Sequence, residues 1–273
     1  MTTTMNLHLQ TVPARQGLAW IRHGVTVFKR RPLAMGSLCS FAFMLMLVLP
    51  RLIPFLGMFV ALLPPLISLG FMLATHEVLQ GQAPKVGVFI APLRITPERR
   101  KSQLLMCLLY ALLQLGIGVL VASTFGDSVE QFFKVQSAPD ANEAAVMAAV
   151  SDPRLINGLF VFALLESLLS VPFWHAPALV HWSGQGVPQA LFSSTVALWR
   201  NRGAFALYGL GWAAAMFTIS LVMAPVAALL GPSLGITFMV LAMMALATAF
   251  NCSLYFSFVD CFLTGSPDKL ELK

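Results

Sequence analysis

Long apolar stretches separated by short basic segments dominate the chain. From Gly203 to Val259 there is no Asp, Glu, Lys or Arg, and Gly231-Pro232-Ser233 interrupts this stretch near its middle. About 20 apolar residues cross the roughly 30 Å hydrocarbon core of a bilayer. This stretch is therefore long enough for two transmembrane helices joined by a turn at Gly231.

The same criterion, applied to the whole chain, predicts an all-α polytopic membrane bundle of six transmembrane helices. The gaps between charges place the six spans at residues 32–49, 52–76, 103–125, 155–180, 203–230 and 232–262. We expect residues 1–31 to be a cytoplasmic amphipathic basic segment, residues 32–264 the transmembrane domain, and residues 265–273 a cytoplasmic tail. Residues 126–154 are predicted to form an external loop and partly ordered cap, with a short Ala-rich helix at 143–150.

Composition agrees with this assignment. The 273 residues are 58% hydrophobic and 10% charged, whereas soluble domains are about 25% charged. The net charge of +6 would favour a nucleic-acid partner in a soluble protein. Here the basic residues lie at the ends of spans, where membrane topology and anionic lipid account for them, so we expect no nucleic-acid partner.

The distribution of Lys and Arg predicts the orientation. Fourteen of the 17 basic residues lie in segments that a six-span layout places on one side, and Arg51, Lys134 and Arg154 remain on the other. By the positive-inside rule, both termini are predicted to be cytoplasmic in a bacterial inner membrane.

The first cytoplasmic segment has the pattern of a helix that lies among lipid headgroups. Leu18, Ile21, Val25 and Phe28 share one face, and Arg15, Arg22 and Lys29 repeat every seven residues on another. The alternative is a helix docked on a partner. Basic residues near the cytoplasmic ends of the spans are predicted to contact anionic headgroups: Arg22, Lys29, Arg30, Arg31, Arg99, Arg100, Lys101, Arg200 and Arg202.

Three weakly similar units suggest an internal repeat of hairpins. Residues 25–31 resemble residues 196–202 at an offset of 171, and a span follows each segment. Returning spans end in Gly-Pro segments at 81–84 and 184–188, and more loosely at 265–267. Parallel repeats of this kind are related by an axis along the membrane normal. Chance similarity between apolar segments is the alternative.

A few polar residues and prolines inside the spans are candidates for transport chemistry. Glu166 lies near the middle of the fourth span, where a carboxyl group either handles ions or protons or bonds to a neighbouring helix. Pro64 and Pro65 fall within the predicted second span, and Pro172 within the fourth; broken helices form binding sites in transporters, although kinks also shape bundles. His76, His175 and Asp260 lie near the inner ends of the returning spans, either as a polar vestibule or as unconnected interface residues.

No sequence pattern indicates catalysis. The chain contains no Walker loop, GxGxxG, HExxH, GxSxG or zinc-ligand spacing, so we expect no catalytic residue, cofactor or metal. We predict a non-enzymatic accessory, scaffold or lipid-interacting component, with a small-solute or ion transporter or channel as the alternative. For a protein partner, another membrane protein and a second copy of this chain both stay open.

The opening pattern from Arg15 to Ile21, followed by Gly24, Phe28 and Pro32, resembles a family of uncharacterised multipass inner-membrane proteins of beta-proteobacteria. The Gly-Gln-x-Pro segment at 81–84 is similar as well. The resemblance implies six helices in a bacterial inner membrane. It implies no activity, so no site residue carries over from it.

Overall fold

The computed structural model describes residues 8–53, 57, 59–138 and 142–262, and its regular structure is helical. The predicted all-α class is therefore confirmed for this part of the chain. The last eleven residues, which include the predicted tail, lie outside it. The helices are α1 Gln16–Arg30, α2 Pro32–Leu52, α3 Pro64–Leu79, α4 Pro97–Ser137, α5 Glu143–Val150, α6 Pro153–Phe173, α7 Ala176–Ser183, α8 Val187–Arg200, α9 Arg202–Leu230 and α10 Pro232–Phe262.

Among the described residues, five helices are long and apolar enough to cross a membrane. They are α2, α4, the α6–α7 pair, α9 and α10. The predicted second span, 52–76, is not a continuous helix, because α3 begins only at Pro64 and runs for 16 residues. Residues 54–56 and 58 of that span lie outside the described part. The two prolines therefore start α3 and do not break it, as suits residues that lack the backbone N–H groups a first helical turn leaves unpaired.

Capping side chains mark the start of α4 at Thr96, of α5 at Asn142 and of α6 at Asp152. Thr96 caps α4 by accepting a hydrogen bond from the backbone N–H of Arg99, with Pro97 at the first helical position. The α4 helix then continues for 41 residues, about 60 Å, well beyond a bilayer core. The helix predicted at 143–150 is confirmed as α5. The segment 126–154 is thus largely two helices and not a loop.

Large apolar side chains are exposed along one half of the bundle, which is the arrangement expected where lipid is the solvent. On α6, α9 and α10 the exposed residues include Phe160, Phe217, Leu229 and Ile236. At the other end the helices pack closely. We call this the compact end and define it as α1, α3, α7, α8 and residues 252–262 of α10. Residues 252–262 are all buried, so α10 forms its centre.

The face through which α1 docks on the bundle is shifted by one sequence position from the predicted face. Its buried residues are Gly17, Trp20, Gly24 and Val27, whereas Leu18 is 46% exposed. The glycines allow α1 to approach the backbones of α9 and α10 closely. Hydrophobicity alone does not mark a glycine as part of a packing face, which explains the error.

Helix boundaries recur between the first and third predicted units. Helices α1 and α8 end at Arg30 and Arg200, and the next helices begin at Pro32 and Arg202. Both pairs are 170 residues apart, one fewer than the offset predicted from the sequence. The buried positions of α8, which are Ala190, Ser194 and Ala197, match Trp20, Gly24 and Val27 at the same spacing.

Candidate functional site

A break between α6 and α7 places His175 in the centre of the compact end. Pro172 lies in the last turn of α6, and Trp174 and His175 separate the two helices. The hydroxyl of Ser194, on α8, accepts a hydrogen bond from the His175 backbone N–H at 3.0 Å. The same hydroxyl donates to the carbonyl of Val171 at 3.1 Å. Ser194 therefore substitutes for the backbone bond that would have joined these two residues.

The side chain of His175 is completely buried and hydrogen-bonded to α10. Its Nε2 lies 3.0 Å from the Ser257 hydroxyl oxygen. Because that hydroxyl donates its own proton to the Leu254 carbonyl, Nε2 carries the proton and donates to Ser257. The indole N–H of Trp174 donates to Ser257 as well, at 3.4 Å. The ring thus fixes the broken helix against α10.

His76 and Asp260 belong to two other hydrogen-bond networks. The Gln80 amide nitrogen is 3.0 Å from Nε2 of His76 and donates to it. Nδ1 therefore carries the proton and donates to the Tyr255 hydroxyl at 2.9 Å. Asp260 Oδ2 accepts hydrogen bonds from the side chains of Gln16 and Trp20, both at 2.7 Å.

Of the two alternatives for these residues, the structure favours unconnected residues over a shared polar vestibule, because the three side chains bond to different partners. His175 joins α7 to α8 and α10, His76 joins α3 to α10, and Asp260 joins α10 to α1. Among the described residues, no group of three His, Cys, Asp or Glu side chains is placed to hold a metal ion. Each network acts as a structural tie between helices of the compact end.

Glu166 forms a hydrogen bond to the neighbouring helix. The Gln114 amide on α4 donates to Glu166 Oε1 at 2.7 Å, and both side chains are half-buried. The sequence left two alternatives open for Glu166, ion or proton handling and a bond to a neighbouring helix, and the structure shows such a bond.

A cleft of about 370 Å³ lies one helical turn from Glu166, and we call it the five-helix cleft. Its walls come from α2, α3, α4, the α6–α7 break and α10. Pro64 and Pro65 line it, as does Ser170, which is four residues from Glu166. Its lining residues are Met46, Pro64, Pro65, Ile67, Ser68, Tyr110, Ser170, Phe173, Trp174, Phe250, Asn251 and Leu254. Sequence reasoning missed Tyr110 and Asn251, although each is an isolated polar residue in an apolar run.

Most of the predicted headgroup-binding residues are exposed around the compact end. Exposed members of the set are Arg22, Lys29, Arg30, Arg31, Arg100, Lys101, Arg200 and Arg202. Arg99 is the exception, because it is half-buried and donates to the His181 carbonyl at 2.9 Å. That contact places a cation at the C-terminal end of α7, where it stabilises the helix.

The α8 helix presents aromatic side chains beside these cations. Phe192 and Trp199 are 70% and 72% exposed, on the side opposite the small buried residues Ala190 and Ala197. The Arg202 guanidinium carbon lies 5.9 Å from the centre of the Trp199 ring. Exposed aromatic residues next to basic ones are typical of the boundary between lipid and water.

Replacing Ser194 by alanine tests the bridge at the helix break. We expect the change to lower the free energy of unfolding by about 2 kcal/mol, because it leaves the buried His175 N–H unpaired. It also leaves the Val171 carbonyl with only the long 3.5 Å bond from the Trp174 N–H. The midpoint of thermal unfolding in detergent measures this. Thr195→Val is the control, since Thr195 is exposed and its hydroxyl donates only to the Leu191 carbonyl; an equal loss in both variants would contradict the bridging role.

The long apolar helices, the exposed apolar half and the packed end define a multi-pass α-helical membrane protein. The chain is 30% identical over 278 residues to a protein of Burkholderia thailandensis described as a probable inner membrane protein. The match covers 97% of this chain and 98% of the relative. The chain therefore belongs to the family of that inner membrane protein, and the predicted resemblance is confirmed. No family model matches the chain, and no solved structure matches it.

Proposed function

We propose that the protein is a non-enzymatic, lipid-interacting component of the bacterial inner membrane that binds anionic lipid at its compact end. The observation that carries this proposal is the exposed basic face of α1. Arg15, Arg22 and Lys29 lie opposite the buried Gly17 and Gly24, so docking α1 on the bundle leaves its cationic side outward. Each basic residue near an anionic surface contributes about 1 kcal/mol of attraction.

The aromatic face of α8 supports the same proposal. Phe192 and Trp199 extend from the bundle beside Arg200 and Arg202, so the amphipathic helix presents its large rings where acyl chains begin. The bilayer is then the main partner, with anionic lipid at this end. Another membrane protein or a second copy of the chain is the further partner that such a component would organise.

The proposal includes the orientation and the layout. The basic compact end faces the cytoplasm, so both termini are cytoplasmic under the positive-inside rule. The five long helices cross the membrane, and α3 with the residues before it supplies the sixth crossing. The matching boundaries of α1–α2 and α8–α9 support a repeat of hairpins, each begun by an amphipathic segment.

Lipid retention tests the proposal. We expect the triple variant Arg22→Gln, Lys29→Gln, Arg30→Gln to retain phosphatidylglycerol with an affinity about 100-fold lower, since three charges contribute roughly 3 kcal/mol. Native mass spectrometry of the detergent-solubilised protein, titrated with phosphatidylglycerol and with phosphatidylcholine, measures this. The matched control neutralises Arg51, Lys134 and Arg154 at the other end. Equal retention by the two triple variants would overturn the proposal.

Transport is the second candidate function, and the five-helix cleft beside the Glu166–Gln114 pair is the observation that favours it. The deciding assay is flux in proteoliposomes with wild-type protein and Glu166→Gln. A solute or ion flux that the substitution abolishes would replace the lipid-component proposal by a transporter. If flux is absent, or is unchanged by the substitution, the transport hypothesis is excluded.

A further inference from the structure

Three side chains with unused hydrogen-bonding capacity meet in the five-helix cleft. The Asn251 amide donates to the Ala247 carbonyl at 2.8 Å, and its carbonyl oxygen has no partner among the described residues. The hydroxyls of Tyr110 and Ser68 make no hydrogen bond to the described residues either. These groups come from α10, α4 and α3, so three separate helices direct polar atoms into one space.

The cleft lies well inside the proposed membrane-spanning part of the bundle. Met46, Tyr110, Ser170 and Asn251 are each 11 to 14 residues from the compact-end terminus of their helix or helix pair. At 1.5 Å per residue, this is about 17–21 Å along the helix. A polar group that stays unpaired at such a depth is costly, because hydrocarbon offers no hydrogen bond in place of water. An occupant that supplies those bonds removes the cost.

The lining indicates the chemistry of that occupant. No Asp, Glu, Lys, Arg or His occurs among the described residues that line the cleft. Glu166 lies one helical turn away and is hydrogen-bonded to Gln114, so no ionisable side chain of the lining neutralises a charged ligand. Tyr110, Phe173, Trp174 and Phe250 supply four rings, with the Tyr110–Phe173 and Trp174–Phe250 pairs packed edge to face. Such walls suit a flat ring, and ring pairs gain from offset and edge contacts.

Water alone fits the cleft poorly. A volume of about 370 Å³ corresponds to roughly 12 molecules at 30 Å³ each, and a buried water needs two to four polar partners. The cleft has mostly apolar walls, so its few polar side chains supply only a small part of the hydrogen-bond partners that these water molecules would need. The volume instead falls at the lower end of the range of small-molecule sites, which begins near 300 Å³.

We propose that the five-helix cleft binds an uncharged cyclic amphiphile that enters from the bilayer. Its ring packs among Trp174, Phe173 and Phe250. One oxygen of the ligand accepts a hydrogen bond from the Tyr110 hydroxyl, and a ligand hydroxyl donates to the Asn251 carbonyl oxygen. The tail extends into the surrounding hydrocarbon. This site is separate from the cationic surface of the compact end and does not depend on lipid-headgroup binding there.

Photolabelling in nanodiscs tests this inference with a defined probe. A diazirine derivative of decylubiquinol, which has a neutral ring with two hydroxyl groups and a hydrocarbon tail, is cross-linked under reducing conditions to the full-length protein in phosphatidylcholine nanodiscs. We expect labelled peptides from α4 and α10 that contain Tyr110 and Asn251. Excess decylubiquinol should suppress this labelling, and excess decanoate, which is anionic, should not.

Matched variants locate the site. Ser170→Trp fills the cleft and should lower the competable labelling at least tenfold, whereas Ser167→Trp, on the exposed side of the same helix, should leave it unchanged. Asn251→Leu should also weaken labelling, and Thr237→Val, an exposed position on α10, should not. Size-exclusion profiles verify that each variant is folded, and Tyr110→Phe offers a milder change. The proposal is overturned if wild-type protein is not labelled, if Ser170→Trp and Ser167→Trp are labelled equally, or if decanoate competes with the probe.

Discussion

Gly24→Leu will release α1 from the bundle. A Cβ atom at Gly24 would lie 2.6 Å from the carbonyl oxygen of Ala249 and 2.6 Å from Cβ of Ser253. Because the first of these is backbone inside α10, no side-chain rotation relieves the clash. We expect the substitution to cost at least about 3 kcal/mol of docking free energy, at the upper end of overpacking effects.

Hydrogen exchange measures that loss directly. Amides of α1 should exchange on the order of 100-fold faster in Gly24→Leu than in wild type, while α4 and α6 keep their protection. Gly36→Leu is the matched control, since a side chain at Gly36 in α2 meets nothing within 4 Å. Unchanged protection of α1 in Gly24→Leu would show that α1 does not dock as described.

Asp260→Leu is expected to have the second large effect. The substitution keeps the branched arrangement of side-chain heavy atoms but removes the acceptor for the Trp20 indole and the Gln16 amide. Trp20 is fully buried, so its N–H would lose its hydrogen bond without gaining water. We expect a loss of about 3 kcal/mol in the free energy of unfolding, measured by thermal or denaturant titration in detergent.

Two comparisons separate this bond from general damage. Asp260→Asn retains an acceptor oxygen and should lose only about 1 kcal/mol, while Asp127→Leu, at an exposed position, should change stability by less than about 0.5 kcal/mol. In a double-mutant cycle, Trp20→Phe should cost much less once Asp260 is leucine. Additive losses in that cycle would contradict a direct Trp20–Asp260 interaction.

The sequence predicted those features that follow from the solvent around the helices. Absence of charge over long stretches identified the membrane class and most long helices, because a charged side chain is costly in hydrocarbon wherever the helix packs. The Ala-rich composition of residues 143–150 also predicted the short helix α5.

Features that depend on contacts between distant segments were predicted less well. To predict the docked face of α1, one must know that the backbones of α9 and α10 approach Gly17 and Gly24 closely. The hydrophobicity of the residues does not carry that information. Likewise, the sequence placed His76, His175 and Asp260 together near the inner ends of the returning spans, yet each side chain bonds to a different neighbour. Asn201 was missed entirely, although its amide bonds to the backbone of residues 10 and 12 and holds the N-terminal segment against the α8–α9 junction.

The resemblance found in the opening segment has a structural explanation. Gly17, Trp20 and Gly24, which belong to that pattern, form the buried face of α1. The pattern therefore marks a docking surface in this chain.

The distance along the chain between Trp20 and Asp260, which is 240 residues, has a consequence for biosynthesis. At roughly 5–20 residues per second, the ribosome completes α1 at least about ten seconds before its packing partner in α10 emerges. During that interval the indole and the two glycines have no interior to enter. A cationic helix with an apolar side can bind the membrane surface during this time. The amphipathic character of α1 therefore keeps its apolar residues out of water until α10 is synthesised.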